Sequence, residues 1–379
     1  MRRILVLTTL IALASPAALS AQGPTTNAEP FKLGTFEING LQHIGIVLQD
    51  SLVVELNAAN RALEQNPAYP SLPMPGDMVE LISRYEYGMK PRLYEIVGYL
   101  VANDRLTAAS RPGYVHDVNQ VDTLAPLMPG KMLNAAVNFY THVGEAGTAD
   151  EQRQAEAERR AARGVPYLFL KPTRGAVIGD GDAVVIPEGR DRIDWEVELG
   201  IVMGRATKYV PATSASDHIF GYMVTLDISD RGGRPPGGFG GGTDWLVGKG
   251  HDTFAPMGPW IVPKEFYGDP MQRLRQTLSV GGEVMQESGA ADMIHSIYEL
   301  IEYASSIITL FPGDVINNGT SGGTGMGQAY RGEQRFLQPG ETIVAEIDGI
   351  GSLTLPVVAG EPQTPGTGAY LPPVSSYQQ

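Results

Sequence analysis

A chain of 379 residues, 42% hydrophobic and 18% charged, is long enough for one large globular domain or two smaller ones. Its formal net charge of −14 disfavours nucleic acid and anionic membrane surfaces as partners. With no cysteine, disulfides, thiolate catalysis and Cys-ligated metals are excluded, while 46 glycines and 28 prolines favour a turn-rich fold with many strands.

The chain opens "MRRILVLTTLIALASPAALSAQ". Arg2 and Arg3 precede an apolar run and then small residues, the three-part layout of a secretory signal over residues 1–21. The run is short for a bilayer span of about 20 residues. Export is therefore expected, with no membrane association once the signal is removed. Residues 22–29 read as a leader. In "FKLGTFEINGLQHIGIVLQDSLVVEL" two strand-like runs flank Asn39-Gly40, a dipeptide suited to a tight hairpin because both residues tolerate positive φ. Asp77 and Glu80 have capping-box spacing, and Val79, Leu81, Ile82 and Tyr85 form an apolar stripe behind them. Residues 30–125 thus read as a small α+β module.

"APLMPGKMLNAAVNFYTHVGEAG" begins a second unit, spanning 129–356. Residues 148–164, "TADEQRQAEAERRAARG", have high helix propensity and no large apolar side chain. A helix polar all round is a solvated arm or a mobile cover. Short strand-like runs follow to Pro356, interrupted by one helix that Ser296 caps and Glu299 completes as a box. Ile297, Leu300, Ile301, Ala304, Ile307 and Ile308 are expected on its buried side. Residues 357–379 read as a Pro/Gly-rich tail. The predicted class is mixed α+β, rich in strand.

In "DWEVELGIVMG", read as a strand, Asp194, Glu196 and Glu198 fall on one face and Trp195, Val197, Leu199, Ile201 and Met203 on the other. Carboxylates at i and i+2 have Cα atoms roughly 7 Å apart and can converge on a hard cation. Alone, such a face is more simply a wet strand edge. Asp227 ends the apolar run "IFGYMVTLDISDR", and an acid at the end of a buried strand needs a partner. Together, Glu196, Glu198 and Asp227 would make a three-carboxylate site with open positions. His142 and Glu145, at i and i+3, can share a face so that the carboxylate orients the imidazole. Lys249 lies among glycines, where it could stabilise a developing anion; nearby His251 reads as a core or rim histidine. "GGFGGG" and "GGTGMG" do not sit between a strand and an amphipathic helix, and G-K-[ST] and H-E-x-x-H are missing.

In order and spacing, "NFYTHVGE", "YLFLKPT", "GDGDAVVIP", "DWEVELGIVMG", "GYMVTLDISDR", "GKGHDTFAPMGPWIV" and "FPGDVINNGTSGG" resemble the fumarylacetoacetate hydrolase family. The resemblance implies a mixed β-sandwich roll that forms homodimers, preceded by a small N-terminal domain. It implies Mg²⁺ or Mn²⁺, with Ca²⁺ also compatible, on Glu196, Glu198 and Asp227. His142 and Glu145 match the family's lid dyad, within a lid at 138–164. Lys171 and Lys249 match its lysines, and Gly319 and Thr320 its Gly-Thr pair. Arg231 fits the family's Asp-x-Ser-x-Arg, but Gly232 and Arg234 replace the Asp and Gln that often follow, and a glycine-rich insertion at 232–242 comes next.

The expected activity is hydrolysis of a carbon–carbon bond in an acylpyruvate or related 1,3-dicarbonyl acid, in the periplasm. His142, held by Glu145, would activate water; Lys249 would stabilise the departing enolate; Lys171, Arg231, Gly319 and Thr320 would bind substrate. A decarboxylase or an enol–keto isomerase or hydratase on an α-keto acid would use the same residues. A non-catalytic binder of a small keto acid is the reading from another class.

Overall fold

The structure is a computed structural model that describes residues 29–145, 147–233, 244–330, 332, 335–362 and 364. The signal and nearly all of the leader, most of the 232–242 insertion and the end of the tail lie outside the described residues.

Among the described residues two large β-sheets, one small two-stranded sheet and their helices build the fold, which is mixed α+β and rich in strand. Strand Val197–Met203 pairs antiparallel with Ile219–Leu226 on one side and with Val315–Asn317 on the other. Met132–Ala135 and the edge strand Leu168–Lys171 extend the sheet beyond Val315–Asn317. In the other direction Ala255–Pro263 follows Ile219–Leu226 and then meets Lys32–Ile38, with Leu33 opposite Ile261. The N-terminal strands are therefore continuous with the larger sheet, joined to it by backbone hydrogen bonds.

Val197–Met203 explains why the sheet sits where it does. Val197, Leu199, Ile201 and Met203 pack into the core shared with the second sheet, whose strands supply Leu278, Ile343, Ala345, Leu353 and Leu355. On the other face Val202 joins the core under the N-terminal helices, with Leu33, Leu81, Leu93 and Ile261. Glu198 shares the face of Val202 but lies at the strand's end, where that second core has given way to a polar pocket. Apolar burial on both faces holds the strand, and its acidic end is buried with it.

Local expectations meet mixed outcomes. Asn39 and Gly40 have φ of 53° and 75°, the tight hairpin their residue types favour. Asp77 accepts the Glu80 amide as an N-cap, but Glu80 bonds the Gly76 amide rather than returning to the cap residue. Ser296 and Glu299 form the full capping box of helix Ile297–Ile307. Ile307 does not face the core as expected; it is 60% exposed, because the helix ends there and the buried stripe stops with Ala304 and Ser305. The final strand, Gly351–Ala359, runs three residues past Pro356 into the segment read as tail, held by parallel pairing with Val184–Ile186.

Candidate active site

The stretch 194–204 is not one strand. Ile193–Asp194 pairs with Ser229–Asp230, the chain turns at Trp195 and Glu196, and Val197–Met203 resumes in the large sheet. The Asp227 amide donates to the Glu196 carbonyl at 2.9 Å, tying the two acidic segments together at this break. The face is not wet: Asp194, Glu196, Glu198 and Asp227 are all buried. One carboxylate oxygen from each of Glu196, Glu198 and Asp227 lies within 4.8 Å of the others.

Three cations surround these acids. Lys249 Nζ donates to Glu196 Oε2 at 2.9 Å, to Asp227 Oδ2 at 2.6 Å and to Ser229 Oγ at 2.6 Å. Lys171 Nζ donates to Asp227 Oδ1 at 2.5 Å and to the Ile228 carbonyl at 2.9 Å. Arg231 Nε donates to Asp194 Oδ2 at 2.9 Å, and its other arm pairs with Glu196. Glu198 accepts only a backbone amide, from Gly319 at 3.1 Å, and makes no ion pair among the described residues.

The electrostatics follow from this asymmetry. Burial pushes Glu196 up, but Arg231 and Lys249 outweigh it and hold its carboxyl well below the usual range. Burial pushes Glu198 up too, and neighbouring Asp227 and Glu196 add to the shift, leaving it far above that range. Burial lowers Lys171 despite Asp227, whereas Asp227 and Glu196 overcome burial and raise Lys249. Four buried acids thus face three cations, and the uncompensated charge falls on Glu198. A divalent cation among Glu196, Glu198 and Asp227 would supply the missing positive charge, and all-oxygen donors suit Mg²⁺ or Mn²⁺. The residues fit such an ion.

The second constellation comes from the turn Tyr140–His142 and the residues after it. His142 Nδ1 lies 2.7 Å from Glu145 Oε2. Glu145 is itself fixed: Oε1 accepts the Gly323 and Thr324 amides at 2.5 and 3.0 Å, and Oε2 the Thr324 hydroxyl at 3.0 Å. A carboxylate on Nδ1 leaves Nε2 as the ring atom free to exchange a proton.

One cavity of about 70 Å³ joins the constellations: His142, Glu196, Glu198, Asp227, Arg231 and Lys249 all line it. Thr320 lines it too, although its hydroxyl donates to the Val197 carbonyl and accepts from Gln286. Gly319 supplies an amide to Glu198 rather than to the cavity. Lys171 stands behind Asp227, outside the lining, so it faces the acids and not the space a substrate would fill.

The polar helix is present as Ala149–Ala161, with a Thr148–Glu151 capping box and no fully buried residue. It lies against the His142 turn: Gln152 donates to the Thr141 carbonyl, Arg160 stacks over the Tyr140 ring, and Ala155 touches the small cluster of Tyr140, Val143 and Ile294.

Sequence reasoning missed three contributors. Asp194 is the partner that orients Arg231. Phe169 and Trp245 pack with centroids 4.5 Å apart and their planes tilted by 30°, and both wall the cavity. The "GGTGMG" segment, set aside as no nucleotide loop, anchors Glu145. Its glycine density was the signal, but only the fold reveals which anion the amides hold. His251, read as a core or rim residue, bonds Asp230 at 3.1 Å, and Asp230 is also gripped by Arg190.

Residues 131–358 match the family described as fumarylacetoacetate (FAA) hydrolase C-terminal. The chain belongs to the fumarylacetoacetate hydrolase family. It is similar to the mitochondrial oxaloacetate tautomerase FAHD2A of Bos taurus, 34% identical over 244 residues, covering 63% of this chain and 70% of that protein. Among solved structures it is similar to maleylpyruvate hydrolase from Sphingobium sp. SYK-6 in complex with manganese(II) and pyruvate. That match has 27% identity and a TM-score of 0.62, covering 87% of this chain and all of the other. It is also similar to 5-carboxymethyl-2-hydroxymuconate delta-isomerase from Mycobacterium smegmatis, with 26% identity and a TM-score of 0.59, over 87% of this chain and all of that one.

Proposed function

We propose that this chain is a divalent-metal-dependent enzyme that hydrolyses a carbon–carbon bond in an acylpyruvate or related 1,3-dicarbonyl acid. One observation carries the reading: three converging carboxylates, part of a group of four buried acids that faces three cations, share a cavity with a carboxylate-held histidine. Glu196, Glu198 and Asp227 would hold the ion. When bound, the cation supplies Lewis-acid polarisation of the keto oxygen and a fixed charge opposite the enolate. His142 takes a proton from water through Nε2, and Glu145 stabilises the resulting imidazolium. Lys249, at the cavity wall, faces the negative charge that develops on the departing enolate. Arg231 presents a cation to the substrate carboxylate. Phe169 and Trp245 keep bulk water from one side, and the Ala149–Ala161 helix closes over the His142 turn.

A second reading, enol–keto tautomerisation of an α-keto acid, is favoured by the likeness to the oxaloacetate tautomerase. It needs the same metal and proton carrier but no attacking water. The discriminating experiment is a panel of acylpyruvates, oxaloacetate and dienoic keto acids with Mg²⁺- or Mn²⁺-loaded protein. Loss of enol absorbance and the acid products are followed separately. Acid products that vanish in His142→Ala support hydrolysis. Enol loss without cleavage supports tautomerisation, and near-wild-type cleavage by His142→Ala rules out the water-activating role.

The same proposal places the enzyme in the periplasm as a homodimer. The charge and layout of residues 1–21 support export, testable by N-terminal sequencing of the periplasmic form. Exposed Val165, Tyr167, Leu170 and Leu246, on and around the edge strand Leu168–Lys171, support a second copy there, testable by light scattering.

A further inference from the structure

The segment 322–327 runs between the two halves of the site. Four consecutive backbone amides point at two carboxylates. Gly323 and Thr324 donate to Glu145, while Gly325 and Met326 donate to Asp194 at 2.6 and 3.1 Å. The turn is thus an anion cradle filled by the protein's own side chains. Each carboxylate has a second duty. Glu145 holds His142, and Asp194 holds Arg231, whose other arm reaches Glu196. A continuous path of hydrogen bonds therefore runs from His142 through Glu145, the turn and Asp194 to Arg231, and both ends line the same cavity.

Its glycines have physical reasons. A Cβ on Gly327 would sit 2.2 Å from Glu145 Cδ, and one on Gly325 would meet the Arg335 carbonyl at 2.3 Å and Asp194 at 3.0 Å. Gly323 has φ +101°, and a Cβ there would strike the Met285 carbonyl at 2.0 Å. No side chain larger than hydrogen lets the turn close on both acids at once.

We propose that the 322–327 turn is a coupling element, in which Asp194 and Gly327 are positioning residues that hold the His142–Glu145 pair in register with Arg231 and Glu196. The catalytic part of this inference rests on the function proposed above; the geometric part does not.

The test uses the full chain labelled with ¹⁵N-histidine. His142→Ala assigns the ring signals, and Glu145→Gln shows how they respond when the carboxylate is lost. Asp194→Asn and Gly327→Ala are each expected to shift the His142 nitrogens in the direction Glu145→Gln does. His43 and His116, which face Glu55 in the N-terminal sheet, should not move. Asp314→Asn is the control, because Asp314 is another buried acceptor of backbone amides, those of Lys131 and Phe311, but lies off this turn. It should leave His142 unmoved. In turnover, Asp194→Asn should lower kcat about tenfold with KM within about twofold, and should add less than about twofold to the loss in Glu145→Gln.

Unmoved His142 signals in folded Gly327→Ala, or rate losses that multiply in the double variant, overturn the coupling. If Asp194→Asn does not fold, Asp194→Glu takes its place, because Gly327→Ala touches Glu145 directly and reads only that end of the turn. Wild-type protein inactive on every substrate counts against the proposed function, and the resonance shifts still decide the coupling.

Discussion

Two acidic regions of this molecule differ in almost every respect except their residue types. The larger is an open groove of about 690 Å³, lined by Asp50, Asp122, Asp180 and Asp182 and walled by Trp260. The smaller is the cavity of about 70 Å³ bordered by Glu196, Glu198 and Asp227. In the groove each aspartate has local work or water. Asp50 is 64% exposed and pairs with Lys32, Asp180 accepts the Thr354 amide at 2.7 Å, and Asp182 accepts the Gly179 amide at 2.8 Å. In the small cavity the acids are buried, converge on one point and lack one compensating charge. Volume and acidity alone are a poor guide to chemistry; a desolvated charge imbalance is a better one.

The sharpest break of this comparison is Asp227→Ala. It removes a proposed ion ligand and leaves Lys171 and Lys249 facing each other across the gap. Mn²⁺ affinity and kcat/KM are both expected to fall by ~1000-fold or more, read by calorimetry and steady-state kinetics. Asp182→Ala in the groove should change neither beyond about twofold.

Lys249→Met comes next. It strips a cation from Glu196 and Asp227 and leaves buried acids unpaired, which costs roughly 3–5 kcal/mol of stability. Added Mn²⁺ should return part of that loss, so the melting gap between variant and wild type narrows when the ion is present. A gap that is independent of metal would mean Lys249 compensates charge at some other place than the ion's.

The raised carboxyl of Glu198 gives a pH signature. Burial comes first among its causes, then Asp227 and Glu196, against the weaker pull of Lys249 and the Gly319 amide. A proton held above the unfolded value favours the metal-free fold at low pH. That contribution fades as pH rises through the folded value. Binding a cation must expel this proton. Mn²⁺ affinity should therefore strengthen as pH rises through that value, with proton release visible as a buffer-dependent heat. Binding independent of both pH and buffer would place the ion away from Glu198.

How much of this was legible in the sequence depends on whether local pattern or long-range packing decides each feature. Asn39-Gly40 and Ser296–Glu299 are local, and both formed as their residue types dictate. Glu198 was legible because alternation in Val197–Met203 puts Val197, Leu199, Ile201 and Met203 on the face opposite to it. The alternation misled at Asp194 and Glu196, where the strand breaks, because that break is held by the distant Asp227 amide. Ile307 fits the helical stripe, yet the helix ends before anything packs on it. Asp194 reaches Arg231 across 37 positions of chain and residues 325–326 across more than 130, separations no periodicity reports.

The smallest expected effect closes the comparison from its other side. Asp50→Asn breaks an ion pair of 2.6 Å whose acid is mostly in water. Lys32 keeps its bond to the Ile350 carbonyl at 2.9 Å and its place over the Trp260 ring, so it is not left unsatisfied. The loss should be ~0.2–1 kcal/mol, and it should shrink further in 1 M salt, where the screening length falls to about 3 Å. Denaturant unfolding at two salt concentrations measures it, with Mn²⁺ affinity and kcat followed in parallel. A change of more than about twofold in either would mean that the open groove and the closed cavity communicate, and the contrast drawn between them would no longer hold.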